Sequence, residues 1–169
     1  MGALEAAYDD RLLDKQREFT ALSQLLFMFE NPRKAAKVIE DGINQGIVKK
    51  EEKTLKAAAQ YWHASRELER AKPYYQKAAN ASKEGELYIF LGQVLFSLDE
   101  FSKAESAIRS GIKKGKLKDE NILKMDSKES LGFLKWMTRT KSISIHSRTI
   151  ANRLIEKIEK SLIDNSITF

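Results

Sequence analysis

The clearest pattern of apolar and polar positions lies near the end of the chain, where the apolar residues fall on one helical face. These residues are Ile150, Ala151, Leu154, Ile155, Ile158 and Leu162. The opposite face carries Arg153, Glu156, Lys157 and Lys160. A helix that is apolar on one side only buries that side and exposes the other, so this segment is predicted to cap a helical domain.

Upstream, helical spacing recurs in a longer unit. One segment reads Leu55-x2-Ala58-Ala59-x2-Trp62 and then Ala71-x3-Tyr75-x2-Ala78, and a second, 33 residues on, reads Tyr88-x2-Leu91-Gly92-x2-Leu95 and then Ala104-x3-Ile108-x2-Gly111. A third copy, Phe19-x2-Leu22-Ser23-x2-Leu26 and then Ala35-x3-Ile39-x2-Gly42, is offset by 36 residues. The extra residues are expected in the loop from Gly46 to Glu52. This is the tetratricopeptide pattern of paired helices.

Alternating residue size gives the repeat its physical basis. Small residues let the two helices of a pair approach closely, and they are Ser23, Ala59 and Gly92 on the first helices and Ala35, Ala71 and Ala104 on the second. Large residues, Trp62, Tyr75, Leu95 and Ile108, fill the space between pairs. One pair cannot bury its apolar face alone, so neighbouring pairs stack. The predicted fold is all-α, a right-handed α-α superhelix of three to four helix pairs with a C-terminal capping helix.

We predict a single domain over residues 1–169. Residues 3–14 form the second helix of a partial repeat, residues 16–50, 52–84 and 85–118 form three repeats, and residues 119–169 form a degenerate repeat and the capping helix. Leu131-Gly132 marks the degenerate first helix, and residues 140–147 are predicted to be a loop. Beginning in the middle of a repeat indicates a fragment of a longer protein, whose missing helix leaves Leu4, Ala7 and Tyr8 without a partner.

Local signals indicate where the helices begin and end. Asn31-Pro32 is typical of an N-cap and first helical residue, and Asp99 and the Asp126/Glu129 pair are further N-cap candidates. Gly46 and Gly115 are predicted to follow helix ends. Pro73 falls inside an expected second helix, so that helix either starts late or kinks there.

Composition narrows the function classes. The chain has 169 residues, a net charge of +6, no cysteine and two histidines, His63 and His146, which are far apart. Disulfides, thiolate catalysis and zinc-cysteine sites are therefore excluded. No Gly-rich phosphate loop or nucleophile elbow is present, no apolar run approaches the length of a membrane span, and no signal peptide pattern appears. The sequence predicts no enzyme and no cofactor.

A more specific resemblance covers roughly residues 3 to 118. It rests on the run from Asn31-Pro32 through Ala35-Ala36-Lys37-Val38-Ile39-Glu40-Asp41-Gly42, on Gly46-Ile47-Val48, and on Gly85-Glu86-Leu87-x3-Leu91-Gly92-Gln93. These segments resemble tetratricopeptide-repeat proteins of Gram-negative bacteria assigned to a TonB energy-transduction system. Ile150 to Lys160 resembles the family's closing helix, whereas residues 119–147 depart from its regular repeats. The resemblance implies a periplasmic scaffold near a TonB complex and no catalytic residue; without it, a cytoplasmic protein is equally compatible.

In this repeat the first helices line a concave face, and the register gives its inward positions. They are Arg17, Thr20, Gln24 and Phe27, then Lys53, Lys56, Gln60 and His63, then Glu86, Ile89, Gln93 and Phe96. Gln24, Gln60 and Gln93 recur at one position, and each carboxamide offers donors and an acceptor to a peptide backbone. Phe27, His63 and Phe96 form a row beside them for apolar side chains. The ordinary alternative is that glutamine is simply a good, soluble helix residue.

The predicted function is therefore binding of a protein or peptide partner in this groove. The positions do not match the Lys and Asn set that clamps a C-terminal carboxylate. Two alternatives stay open. The first is nucleic-acid binding, which the mixed charge of the groove opposes but a basic run favours, namely Lys113, Lys114, Lys116 and Lys118. The second is self-association through Leu4, Ala7 and Tyr8. The ordinary interpretation of the basic run is that its lysines lie at a helix C-terminus, where they stabilise the negative end of the helix dipole.

Overall fold

The structure is a computed structural model that describes residues 2–116, 127–140, 145, 148–149, 151–153, 155–156 and 159–160. Eight helices are bounded within these residues: α1(Gly2–Asp9), α2(Gln16–Met28), α3(Pro32–Asn44), α4(Glu52–Ala64), α5(Leu68–Ala81), α6(Glu86–Ser97), α7(Phe101–Lys114) and α8(Ser127–Arg139). The described part of the chain contains no strand. The predicted all-α fold is confirmed.

The helices pack in sequence-adjacent pairs. Helix α2 packs on α3, α4 on α5, and α6 on α7, and α3 also packs on α4. The described residues form two compact units, unit 1 up to Ser82 and unit 2 from Lys83 onward. Unit 1 holds α1 to α5, and unit 2 holds α6 to α8.

The residues predicted to set the close approach of paired helices are buried. Ser23, Ala59, Ala35, Ala71 and Ala104 are all inaccessible. At Gly92 an added Cβ would lie 2.9 Å from Ile108 Cγ1 and 3.4 Å from the carbonyl oxygen of Ala104, both on α7. Such distances leave no room for a side chain, so Gly92 permits the contact between α6 and α7. The predicted large core residues, Trp62, Tyr75, Leu95 and Ile108, are buried as well.

Most predicted helix boundaries agree with the structure. Asn31 caps α3, where its Oδ1 accepts a hydrogen bond from the Lys34 amide at 3.2 Å, and Pro32 is the first helical residue. Gly46 and Gly115 follow helix ends with φ of +75° and +74°, the left-handed region that glycine adopts without steric cost. The loop from Gln45 to Glu51 is three residues longer than the loop from Ser82 to Gly85, which accounts for the longer first offset.

Two local expectations need correction. Asp99 is not an N-cap: it has a φ of +59°, and Glu100 is the residue before α7. Pro73 lies inside α5, which begins at Leu68 and continues to Ala81, so the helix does not start late. The predicted cap at Asp126 lies outside the described residues.

The two ends of the chain are less regular. Helix α1 contributes no buried residue, although the Tyr8 ring meets the edge of Phe19 at 6.3 Å and its hydroxyl donates to Asp41 of α3. Helix α8 packs on α6 and buries Phe133, Leu134 and Met137. A Cβ added at Gly132 would meet nothing within 4 Å, so the Leu131-Gly132 pair does not mark a close helix contact.

Only part of the predicted capping helix is described. Ala151 is buried and Ile155 is half-buried, while Arg153, Glu156 and Lys160 are exposed, which agrees with a one-sided helix. Ile150, Leu154, Ile158 and Leu162 lie outside the residues whose side chains are described. Within the predicted loop at 140–147, Ile145 is helical. No helix in the described part of the chain is long and apolar enough to cross a membrane.

Candidate functional site

Helices α2 and α4 lie side by side in unit 1 and run in the same direction. Near their beginnings, Gln16 Oε1 accepts a hydrogen bond from the Lys49 amide, just before α4, at 3.1 Å. Near their ends, the rings of Phe27 and Tyr61 pack with centroids 4.6 Å apart. Burial raises the pKa of the Tyr61 hydroxyl. These contacts at both ends fix the register of the two helices.

The predicted inward positions of unit 1 form a surface that we call the α2/α4 strip. It consists of Arg17, Gln24 and Phe27 on α2 and Lys53, Lys56 and Gln60 on α4. Arg17, Gln24 and Lys53 are exposed, and Lys56 and Gln60 are half-buried. The helical spacing of each set places its members on one face. The strip therefore offers two carboxamides, three cations and one aromatic ring to a partner.

Two further predicted positions of unit 1 are engaged within the protein. The Thr20 hydroxyl donates to the carbonyl oxygens of Gln16 and Arg17, both at 3.0 Å. His63 Nδ1 lies 3.3 Å from the Tyr75 hydroxyl of α5, and the two rings meet edge-to-face with centroids 5.9 Å apart. His63 thus packs against the second helix of its own pair, so it does not extend an aromatic row with Phe27.

In unit 2 the equivalent positions are covered. Glu86, Ile89 and Gln93 are buried, with Glu86 4% and Gln93 2% exposed. The expectation that Gln93 offers its carboxamide to a partner is therefore wrong for this structure. The physical reason is that α6 is buried on most of its circumference rather than along one stripe, with α7 and α8 packed against it.

Burial leaves two polar atoms of α6 unsatisfied. Glu86 Oε1 and Gln93 Nε2 have no hydrogen-bond partner within the described structure. An unpaired buried polar group costs about 1–3 kcal/mol. The repeat pattern could not predict that these atoms are buried. It assigns Gln24, Gln60 and Gln93 to the same inward position, and only Gln93 is buried.

Phe96, the last predicted inward position, belongs to an aromatic cluster. Its ring centroid lies 5.2 Å from Trp136, 5.7 Å from Phe101 and 5.7 Å from Phe133. Phe133 and Trp136 come from α8, and Phe101 begins α7. Phe96 is thus half-buried against rings of its own unit.

The corresponding end of α2 is open, a feature that the repeat register did not single out. Phe27, Met28 and Phe29 are 39%, 68% and 65% exposed. The only sequence signal is the apolar run from Leu25 to Phe29, which is uninterrupted by the polar residues expected on an exposed helix end. Consecutive exposed apolar side chains of this size are typical of a contact surface.

The cations of the strip differ from several others in unit 1. Arg33 pairs with Glu67 at 2.8 Å, Lys34 with Glu5, and Arg70 with Glu40. Arg70 also lies over the Trp62 ring, 3.7 Å from its centroid. Among the described contacts, no ion pair involves Arg17, Lys53 or Lys56. Their charges are therefore available to a partner.

Other candidate chemistry is weaker. In the described residues, no three or more His, Cys, Asp and Glu side chains are grouped so that they could hold a metal ion. A depression near the end of α1 is lined by Tyr8, Asp9, Arg11 and Asp41, but Tyr8 and Asp41 bond to each other there. Of the basic run, Lys113 and Lys114 lie in the last turn of α7, where they complement the helix dipole, and Lys118 lies outside the described residues.

Neither a comparison with protein-family models nor a comparison with curated proteins finds a match for this chain. The features of the molecule that bear on its function are therefore the α2/α4 strip and the exposed apolar residues beside it.

Proposed function

We propose that the protein is a tetratricopeptide-type helical repeat that binds a peptide segment of another protein on the α2/α4 strip and catalyses no reaction. The observation that carries this proposal is the strip itself: two parallel helices present Gln24 and Gln60, three cations with no ion pair among the described contacts, and the partly exposed ring of Phe27. The 33-residue register and the buried small residues at Ser23, Ala59 and Gly92 support the repeat assignment. The superhelical arrangement of the pairs is part of the proposal.

An extended peptide suits this surface because its backbone has unpaired donors and acceptors on both edges. Each carboxamide of Gln24 and Gln60 can donate to a peptide carbonyl and accept from a peptide amide. Such bonds hold a backbone irrespective of its side chains. The neighbouring cations and Phe27 then add selectivity for the side chains.

The test begins with a selection of random 12-residue peptides displayed on phage against the full chain. Enriched peptides are synthesised with a fluorescent label, and their Kd values are measured by fluorescence anisotropy. We expect Gln24→Ala/Gln60→Ala to weaken binding about 5- to 100-fold, because each hydrogen bond contributes about 0.5–1.5 kcal/mol. The control is Gln76→Ala, an exposed glutamine of α5 that bonds to Asn80 and lies off the strip.

If no peptide is enriched, or if enriched peptides bind the double variant as tightly as the wild type, the proposed function is wrong. Circular dichroism of both variants is the check that the helices are retained.

The resemblance to TonB-associated repeat proteins adds an expectation about the partner's location, the bacterial envelope. A pull-down from a bacterial envelope extract, with Gln24→Ala/Gln60→Ala beside the wild type, tests it. Envelope proteins recovered by the wild type and lost with the variant support a periplasmic scaffold. Equal recovery by both proteins would place binding elsewhere on the molecule.

A further inference from the structure

The α2/α4 strip has two chemically different ends. Arg17 lies in the first turn of α2, and Lys53 and Lys56 lie in the first two turns of α4. Because the helices run in parallel, with Gln16 level with Lys49 and Phe27 level with Tyr61, Arg17 and Lys53 lie at one end of the strip and Lys56 lies near its middle. Phe27 lies near the end of α2 and contacts Tyr61 near the end of α4. At 1.5 Å per residue, Arg17 and Phe27 are separated by about 15 Å along the helix.

The three cations of the strip have no ion-pair partner among the described contacts. Elsewhere in unit 1, Arg33, Lys34 and Arg70 each meet a carboxylate supplied by another segment of the chain. No carboxylate is supplied in this way to Arg17, Lys53 or Lys56 among the described contacts. The first-turn position adds the positive end of two helix dipoles to these charges. An occupant with carboxylates would complement both.

At the apolar end, Phe27, Met28 and Phe29 are exposed to solvent. Unit 2 shows which side chains pack on the position equivalent to Phe27. Phe96 occupies the same place in its repeat as Phe27, and it is half-buried against Phe101 and against Phe133 and Trp136 of a following helix. Phe27 meets Tyr61 alone among these ring contacts, and Met28 and Phe29 beside it are open. An aromatic or large aliphatic side chain from a partner would supply the missing contact.

We infer that the occupant of the α2/α4 strip is an extended acidic peptide segment with an apolar anchor residue. The anchor packs on Phe27, Met28 and Phe29, and the carboxylates meet Arg17, Lys53 and Lys56. Arg17 lies about 15 Å along the helix from Phe27, and Lys56 lies about 7 Å from the level of Phe27. An extended chain advances about 3.3 Å per residue, so the carboxylates lie about two to five residues from the anchor. This inference rests on the proposed function and names the chemistry of its partner.

The separation of the two ends favours a peptide over a nucleic acid. A nucleic-acid strand carries a negative charge about every 3.4 Å, and single-strand binders combine a positive groove along the backbone with aromatic residues that stack the bases. On this strip the cations lie between one end and the middle, and the exposed apolar residues lie at the other end. Only a polymer whose charge is also confined to one part matches that arrangement.

The experiment uses the full chain and peptides selected from a random 12-residue display library. Each enriched peptide is measured by fluorescence anisotropy against Lys53→Glu/Lys56→Glu and against Phe27→Ser. The matched control is Lys37→Glu/Lys77→Glu, which makes the same change in net charge on exposed residues of α3 and α5. A 20-nucleotide single-stranded RNA of mixed sequence is titrated in parallel.

We expect enriched peptides to place acidic residues about two to five positions from an aromatic or large aliphatic residue. We expect Lys53→Glu/Lys56→Glu to weaken binding about tenfold, Phe27→Ser to weaken it by a similar factor, and the control pair to change it less than twofold. Replacing the peptide's acidic residues by their amides should abolish the difference between wild type and Lys53→Glu/Lys56→Glu.

The outcomes separate the two proposals. Peptides that lack acidic residues, yet depend on Gln24 and Gln60, would overturn the inference and leave the proposed function standing. No enrichment, or binding that is indifferent to every strip variant, would overturn both. Tighter binding of the RNA than of any peptide, lost in Lys53→Glu/Lys56→Glu and retained in the control, would replace the peptide by a nucleic acid.

Discussion

Replacing Gly85 by alanine probes a close backbone contact between α6 and the end of α7. An added Cβ at Gly85 would lie 1.9 Å from the carbonyl oxygen of Gly111 and 2.9 Å from that of Gly115, both belonging to the end of α7 and its cap. These are backbone atoms, so no side-chain rotation relieves the clash. The start of α6 must move away from α7, and the hydrogen bond from the Gly85 amide to the Gly115 carbonyl, now 2.8 Å long, is strained or broken.

Whether Gly85→Ala lowers or raises the free energy of unfolding shows which of two effects is larger: the steric clash in the folded state, or the smaller conformational freedom of alanine in the unfolded chain. Gly85 has a φ of −79°, which alanine adopts without strain. Were space available, the loss of glycine's flexibility in the unfolded chain would stabilise the protein by about 0.4–1 kcal/mol. Overpacking costs about 1–3 kcal/mol and the lost hydrogen bond about 0.5–1.5 kcal/mol, so we expect Gly85→Ala to lower the free energy of unfolding by about 1–4 kcal/mol.

The assay is thermal and urea unfolding followed by circular dichroism at 222 nm. The expected destabilisation corresponds to a fall in Tm of about 2–16 °C for a chain of this size. Gly132→Ala is the matched control, since a Cβ there meets nothing within 4 Å and the residue lies inside α8. We expect it to raise stability by about 0.5–1 kcal/mol. A Tm for Gly85→Ala equal to or above that of the wild type would refute the close approach of α6 and α7.

Three other substitutions or conditions test the description further. Gly92→Leu should destabilise the protein by several kcal/mol, on the order of the larger overpacking costs, because the side chain enters the contact with Ile108, and a Tm within error of wild type would contradict the repeat register. Gln93→Met should leave the free energy of unfolding, measured by urea denaturation, unchanged or raise it by up to about 1–3 kcal/mol, since it removes a buried amide with no partner among the described residues. A clear loss of stability would show that the amide has a partner. Burial and the carboxylates of Asp41 and Glu40 raise the pKa of Tyr8 and Tyr74, so the folded protein keeps protons that the unfolded chain loses near pH 10. The contribution of these tyrosines to stability should therefore be flat below pH 10 and fall above it. Urea midpoints from pH 8 to 11 should show a shallower fall for Tyr74→Phe than for the wild type.

The candidate site was only partly predictable from the register. The spacing of Arg17, Gln24 and Phe27 places them on one face of α2 in any helix, and the structure shows them exposed there. The same register gives Gln93 an identical position, yet Gln93 is buried. Register determines the direction in which a side chain leaves its helix. It does not determine which neighbouring element covers that direction.

The sequence by itself determined the helices, their pairing and the small residues between them, because each depends on spacing within about 30 residues and on the size of single side chains. The tertiary structure decided exposure and partnership. It placed His63 against Tyr75, packed Phe96 against Phe133 and Trp136, and left Phe27, Met28 and Phe29 exposed. These outcomes depend on which side chains from other helices arrive at a surface, and the repeat pattern of one helix carries no information about them.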